Sequence, residues 1–156
     1  MLKVLIIGLG NILMSDDGLG VVAVKELQKR DKGSVGIDYL DVGISVLNYI
    51  ADIGRGKNLI AIDAITAGHP PGTIYRMDNP DIINDIESFS DSHGCSFPAA
   101  VALSRELTGF PDRVVLYGIE PYSCDVGFSI APEVKGSLQK LIMMVEEEIQ
   151  SITASE

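Results

Sequence analysis

The chain has 156 residues, 46% of them hydrophobic, a mean hydropathy of +0.25 and a formal net charge of −10. That length suits one domain, residues 1–156, with a real core, and the composition excludes a disordered chain. A surface this acidic disfavours nucleic acid and anionic membrane as partners, and two cysteines, Cys95 and Cys124, make neither a disulfide framework nor a CxxC zinc site.

The opening stretch "MLKVLIIGLGNILM" is too short and too broken by glycine for a targeting segment or a membrane span, so a reduced, cytoplasmic protein is expected. Residues 2–7 read as a buried strand, nearly continuous in Leu, Val and Ile. A loop rich in glycine follows, "GLGNILMSDDGLG" from Gly8 to Gly20, and a helix is predicted from about Asp16 to Arg30, with Val21, Val24 and Leu27 recurring at threes. "GIDYLD", Gly36 to Asp41, is a second strand. "ISVLNYIADI", Ile44 to Ile53, is a second helix closed by Gly54.

"NLIAIDA", Asn58 to Ala64, is apolar enough for a central strand. "GTIYRM", Gly72 to Met77, alternates after Pro70 and Pro71 and reads as an edge strand. A short helix is expected over residues 80–88, a longer one over Phe97 to Leu107, and a last strand over Arg113 to Glu120. From about Pro132 an amphipathic helix places Val134, Leu138, Leu141, Ile142, Val145 and Ile149 on one face, with Glu146, Glu147 and Glu148 towards water and the Met143–Met144 pair as core filler. Strands alternating with helices predict an α/β fold with a mainly parallel sheet covered on both faces.

The first three strands each lead to an aspartate: Asp16 and Asp17 after the first loop, Asp41 after the second strand, Asp63 after the third. In an open parallel sheet those ends share the edge where ligands bind. Carboxylates gathered there repel one another unless hydrogen bonds or a cation hold them. Asp16 or Ser15 is placed to cap the first helix, and Asp17 suits its first turn without any ligand. Asp63 is harder to assign to structure, because it leaves an apolar strand where an idle charge is expensive. Two histidines exist, His69 and His93, both in loop-like stretches. His93, in "DSHGCS", has small and polar neighbours, and an imidazole with two carboxylates is a common set for a divalent transition metal.

A dinucleotide-binding reading competes, since Gly8-x-Gly10 follows a strand. Leu13 stands where GxGxxG needs its third glycine, no lysine or arginine falls between Lys3 and Lys25, and Asp16 and Asp17 occupy the helix start where pyrophosphate would sit. The loop suits a cation or a neutral backbone. The chain has no HExxH, no GxSxG and no persuasive cysteine nucleophile.

"GLGNILMSDDGLG", "LDVGIS", "AIDA", "PGTIYRM", "SHG" before a helix and "LYGIEP", in that order along nearly the whole chain, resemble the maturation endopeptidases of nickel–iron hydrogenases. The resemblance implies a twisted five-stranded sheet in a three-layer α/β/α sandwich. It implies removal of a short C-terminal peptide from the hydrogenase large-subunit precursor once the precursor holds nickel. It places metal-contacting groups at Asp17, where the family often has glutamate, at Asp63 and at His93, and a further cleft acid at Asp41. Catalysis is then expected from Asp17, Asp41 and Asp63, with nickel supplied by the substrate and the protein a monomer. A nickel-binding maturation chaperone that cuts nothing would use the same three ligands.

Overall fold

A computed structural model of the chain describes residues 1–79 and 96–155. The helix expected over residues 80–88, and with it His93 and Cys95, lies outside the described residues. Five strands form one sheet: β1 (Leu2–Leu9), β2 (Ile37–Gly43), β3 (Gly56–Ala64), β4 (Ile74–Asp78) and β5 (Arg113–Ile119), in the order β2-β1-β3-β5-β4. All neighbours pair in parallel except β4, which runs antiparallel to β5 at one edge. The α-helices among the described residues include α1 (Leu19–Arg30), α2 (Ile50–Ile53), α3 (Ser96–Thr108) and α4 (Pro132–Ala154).

Strand side chains alternate between two separate cores. Val4, Ile6, Ile60, Ile62, Val115 and Tyr117 pack against α1 and α4. Leu5, Ile7, Leu59, Ala61, Val114 and Leu116 pack against α2 and α3. The central strands are therefore buried on both faces, which explains why their sequences are continuous apolar runs. Truncating one such side chain, Leu5→Ala for example, removes contacts a rigid sheet cannot rebuild and costs roughly 2–5 kcal/mol.

The glycines of the first loop serve close packing. A Cβ at Gly8 would lie 2.4 Å from the carbonyl oxygen of Gly20, and one at Gly20 would lie 2.1 Å from that of Ile62. The start of α1 thus sits directly on β1 and β3, with no room for a side chain or an anion between them.

Four expectations need correction. First, the helix foreseen from Asp16 begins as a 3₁₀ turn over Ser15–Gly18 and becomes α-helical at Leu19, with no side-chain cap bond at either start. Second, the helix foreseen over Ile44 to Ile53 is a 3₁₀ turn, Val46–Tyr49, followed by only four α-helical residues. Val46 and Ile53 are buried whereas Ile44 and Leu47 are exposed, so little packing holds a longer helix. Gly54 does close it, but at φ −71°, not in a left-handed cap. Its lack of a side chain admits Thr108, whose Oγ1 would lie 2.6 Å from a Cβ there. Third, Met143 is exposed, and Met144 alone of the pair packs on the core.

Fourth, Glu148 does not face water. Its carboxylate accepts from Tyr117 Oη at 2.6 Å, from Arg76 Nε and Nη2 at 3.0 and 3.2 Å, and from Arg113 Nη2 at 3.0 Å. One turn before it lies Val145 and one turn after it Ile152, both buried, so Glu148 stands at the border of the apolar face and can reach the edge of the sheet.

Candidate active site

The carboxyl ends of β1, β2 and β3 meet at one edge, and Gly10 stands at their centre. Gly10 adopts φ +112° and donates its N–H to the Gly43 carbonyl at 3.0 Å. A Cβ on Gly10 would lie 1.9 Å from the Asp17 carbonyl oxygen and 3.3 Å from Asp63 Oδ1. Asp17 and Asp63 thus approach the same glycine from two chain segments, and any side chain there would displace both.

Asp17 is buried in the 3₁₀ turn, and its Oδ2 accepts the Asn11 N–H at 2.9 Å. Asp63 is 9% exposed at the end of β3, where Oδ1 accepts the Ala64 N–H at 2.8 Å. Alternation along β3 puts Asp63 on the α3 side of the sheet, the side of Leu59 and Ala61. Asp41 lies on the opposite side. It follows Tyr39 by two residues, is exposed, and its Oδ2 stands 3.5 Å from Lys25 Nζ on α1. The β1–β2 register slips between Gly8 and Leu9: Asp41 pairs with Gly8 and Gly43 with Leu9, so Val42, the residue after Asp41, is the extra one. A groove of about 150 Å³, lined by Gly10, Asn11, Ile12, Asp41, Gly43 and Ile44, runs between the first loop and the end of β2. A larger hollow of about 230 Å³ lies at the far end of α1 against Ile37 and Tyr39, away from these acids.

The first loop spends its amide donors internally. The N–H groups of Asn11 and Leu13 go to the side chains of Asp17 and Asn11. Those of Met14, Ser15, Asp16 and Asp17 go to the carbonyls of Asn11, Gly127, Ser123 and Met14. A phosphate cradle needs such donors turned outward. The nucleotide reading therefore loses its geometric basis, whereas carboxylates at this edge, with Asp41 exposed at the groove, are compatible with a cation.

Two buried acids near this edge have roles that the sequence did not disclose. Asp16 is 1% exposed and caps no helix. Its Oδ2 accepts the N–H groups of Tyr122 and Ser123 at 2.8 and 3.0 Å, and its Oδ1 accepts that of Ala131 at 2.8 Å. Glu120, one residue past β5, is also buried. It accepts the N–H groups of Ala67 and His69 and the hydroxyl of Tyr75, and so fixes the loop that follows Asp63. Burial and the neighbouring Glu120 charge both push the Tyr75 hydroxyl above its ordinary pKa. Tyr75 also meets His69 Nδ1 at 3.1 Å, which leaves His69 at the loop surface and gives it no part among Asp17, Asp41 and Asp63. The signal for Glu120 was present: it ends an apolar strand as Asp63 does.

Of the predicted site, the described residues bring Asp17 and Asp63 to one glycine and set Asp41 across the groove, and His93 lies outside them. Among the described residues, no three His, Cys, Asp or Glu side chains form a group able to hold a metal by themselves.

A family model described as HycI, hydrogenase maturation protease, matches residues 21–148. The chain belongs to the hydrogenase maturation protease family. The matched stretch contains Asp41, Asp63 and His93 and begins just after Asp17. The hydrogenase expression/formation protein HupD of Thiocapsa roseopersicina is 30% identical over 147 residues, which cover 93% of this chain and 66% of that one. The hydrogenase maturating endopeptidase HybD of E. coli superposes with a TM-score of 0.87 at 23% identity, over 96% of this chain and 93% of that one, a likeness of fold. The NiFe hydrogenase maturation protease HybD of Thermococcus kodakarensis gives a TM-score of 0.80 at 25% identity, over 94% and 98%. The family is one of peptidases, and the α/β architecture with its five-stranded, mostly parallel sheet is the HybD-like one. No helix among the described residues is long and apolar enough to cross a membrane.

Proposed function

We propose that this maturation protease removes a C-terminal peptide from a nickel–iron hydrogenase large-subunit precursor after nickel insertion, and that it recognises the nickel held by that precursor. The observation that carries the reading is the meeting of Asp17 and Asp63 around Gly10 at the carboxyl edge of the sheet. Asp17 meets Gly10 through its main-chain carbonyl and Asp63 through its carboxylate, so both acids belong to the same edge of the sheet, where a divalent cation would offset the repulsion between their charges. Carboxylate oxygens suit such a cation, and His93 is the imidazole that completes the set.

In this reading the nickel is part of the substrate. Asp17, Asp63 and His93 engage it and so fix the scissile bond over the groove. A water molecule attacks the scissile carbonyl, a carboxylate, Asp41 or Asp17, accepts its proton, and the C–N bond breaks with that proton passed to the leaving amine.

The test is incubation with nickel-loaded and nickel-free precursor, with the products weighed by mass spectrometry. Shortening of the nickel-loaded form alone is expected. Equal cutting of both forms would contradict metal-gated recognition, and binding without shortening would favour a maturation chaperone.

A further inference from the structure

The loop after β5 carries apolar side chains that the fold leaves in water. Val126 is 85% exposed and Phe128 82%, and beside them Leu13 and Ile12 of the first loop are 51% and 45% exposed. Scattered exposed hydrophobics need no explanation, but an apolar group held rigid at a site does.

These four residues are held. Met14 and Gly127 form a parallel bridge: the Gly127 N–H donates to the Leu13 carbonyl and the Ser15 N–H to the Gly127 carbonyl, both at 2.8 Å. Ser15 Oγ donates to the Asp125 carbonyl at 2.8 Å, and the Asp16 N–H to that of Ser123 at 3.1 Å. Ser15 takes φ +51° to make this junction, an uncommon conformation for a residue with a side chain. Beneath it the buried Asp16 carboxylate grips Tyr122, Ser123 and Ala131. A buried carboxylate is an expensive fastening for a loop that leaves Val126 and Phe128 in water. The expense is understandable if the loop must be ready-shaped for a partner, since a preordered surface loses less entropy on binding.

The surface is continuous with the candidate site. Ile12 belongs both to it and to the groove that holds Asp41, and Asn11, the next residue back, donates to Asp17. A polypeptide that enters the groove past Ile12 from the side of Leu13 passes the segment bridged to it, which carries Val126 and Phe128. We infer that Ile12, Leu13, Val126 and Phe128 form a preorganised docking surface for an apolar segment of the hydrogenase large-subunit precursor. This inference rests on the processing function proposed above.

The experiment compares the full chain with Val126→Ser/Phe128→Ser, and with Val35→Ser as a control, a residue 92% exposed just before β2 at the other end of the sheet. Binding of nickel-loaded precursor from the same organism is measured by titration, and processing by initial rates. Both substituted side chains are exposed, so unfolding midpoints should agree within about 2 °C. Loss of two apolar anchors should weaken precursor binding and raise KM roughly tenfold or more with kcat little changed, since Phe-type anchors dominate interface energies. Val35→Ser should match wild type. Affinity and KM unchanged in the double variant would overturn the docking surface. So would a wild-type dimer that the double variant abolishes while its KM stays the same, because the patch would then serve a second copy of this chain. Wild type that binds the precursor without shortening it would count against the peptidase reading only, and the affinity comparison would still decide the docking surface.

Discussion

The backbone N–H of Asn11 donates to Asp17 Oδ2 over 2.9 Å, so the loop that enters the cleft also aims the acid that the cleft presents. This bond separates two properties of Asp17 that a single alanine variant would confuse. An asparagine keeps an oxygen for the Asn11 amide, removes the charge and turns the other oxygen into a donor. Asp17→Asn should therefore fold with an unfolding midpoint within about 3 °C of wild type. Peptide release from nickel-loaded precursor should fall by about 100-fold or more, the loss expected when a group that engages a metal becomes neutral. Mass spectrometry of the precursor and a thermal melt measure the two effects, and full activity in the variant would remove Asp17 from the site.

Asp63 and His93 are predicted to behave as one unit with Asp17. Asp63→Asn keeps an acceptor for the Ala64 N–H and should abolish processing with little change in stability. His93→Ala should also abolish tail removal and leave the unfolding midpoint nearly unchanged. Groups that act together give losses that do not add, so the double variant should be no worse than the more damaging single one. An additive loss would mean that the two side chains work at separate places.

Asp16, next to Asp17 in sequence, should show the opposite pattern. Its carboxylate satisfies three backbone N–H groups from residues 122, 123 and 131. Asp16→Ala leaves those donors buried without an acceptor and should cost about 2–4 kcal/mol, or roughly 5–15 °C in unfolding midpoint at this chain length. Asp16→Asn should cost less, since one amide oxygen can still serve Tyr122 and Ser123. Denaturant titration decides this, and a loss under about 1 kcal/mol for the alanine variant would mean that water replaces the carboxylate at all three donors.

The contrast between these neighbouring aspartates shows where legibility in the sequence ends. The sheet was legible because β1, β3 and β5 each contain a nearly continuous apolar run, the pattern that burial on both faces requires. The gathering of Asp17, Asp41 and Asp63 at one edge followed from strand order alone. Asp16 was not legible as a clamp: its partners lie more than a hundred residues away, and local pattern offered the simpler role of a helix cap. The shortness of α2 was hidden for the same reason, since apolar residues at helical spacing do not reveal that Leu47 faces water. Glu120 and Glu148 were within reach. One ends an apolar strand and the other borders an apolar helix face, positions where a charge needs partners.

Glu148 supplies the last prediction, in the pH dependence of stability. Burial raises its pKa, but the hydrogen bonds from Arg76 and Tyr117 and the charges of Arg76 and Arg113 outweigh burial, and the folded value falls below the ordinary one. A lowered folded pKa means that the ionised group stabilises the fold above its unfolded pKa of about 4.3, and that this contribution is lost as pH falls through the folded value. Tyr117 has the opposite sign. Burial, and next the hydrogen bond to Glu148, push its hydroxyl up to about 12. Its contribution is complete below the unfolded value of about 10 and is lost as pH rises towards 12. Urea unfolding of wild type, Glu148→Gln and Tyr117→Phe between about pH 3 and pH 11 separates the two. Glu148→Gln should cost about 1–3 kcal/mol at neutral pH, with the difference from wild type shrinking below about pH 4 as the wild-type carboxylate is protonated. Tyr117→Phe should show a shallower alkaline decline than wild type above about pH 10, the remainder coming from Tyr39 and Tyr75, whose hydroxyls burial also raises. A Glu148→Gln difference that stays constant down to pH 3 would show that the carboxylate's shape, and not its charge, ties α4 to β4 and β5.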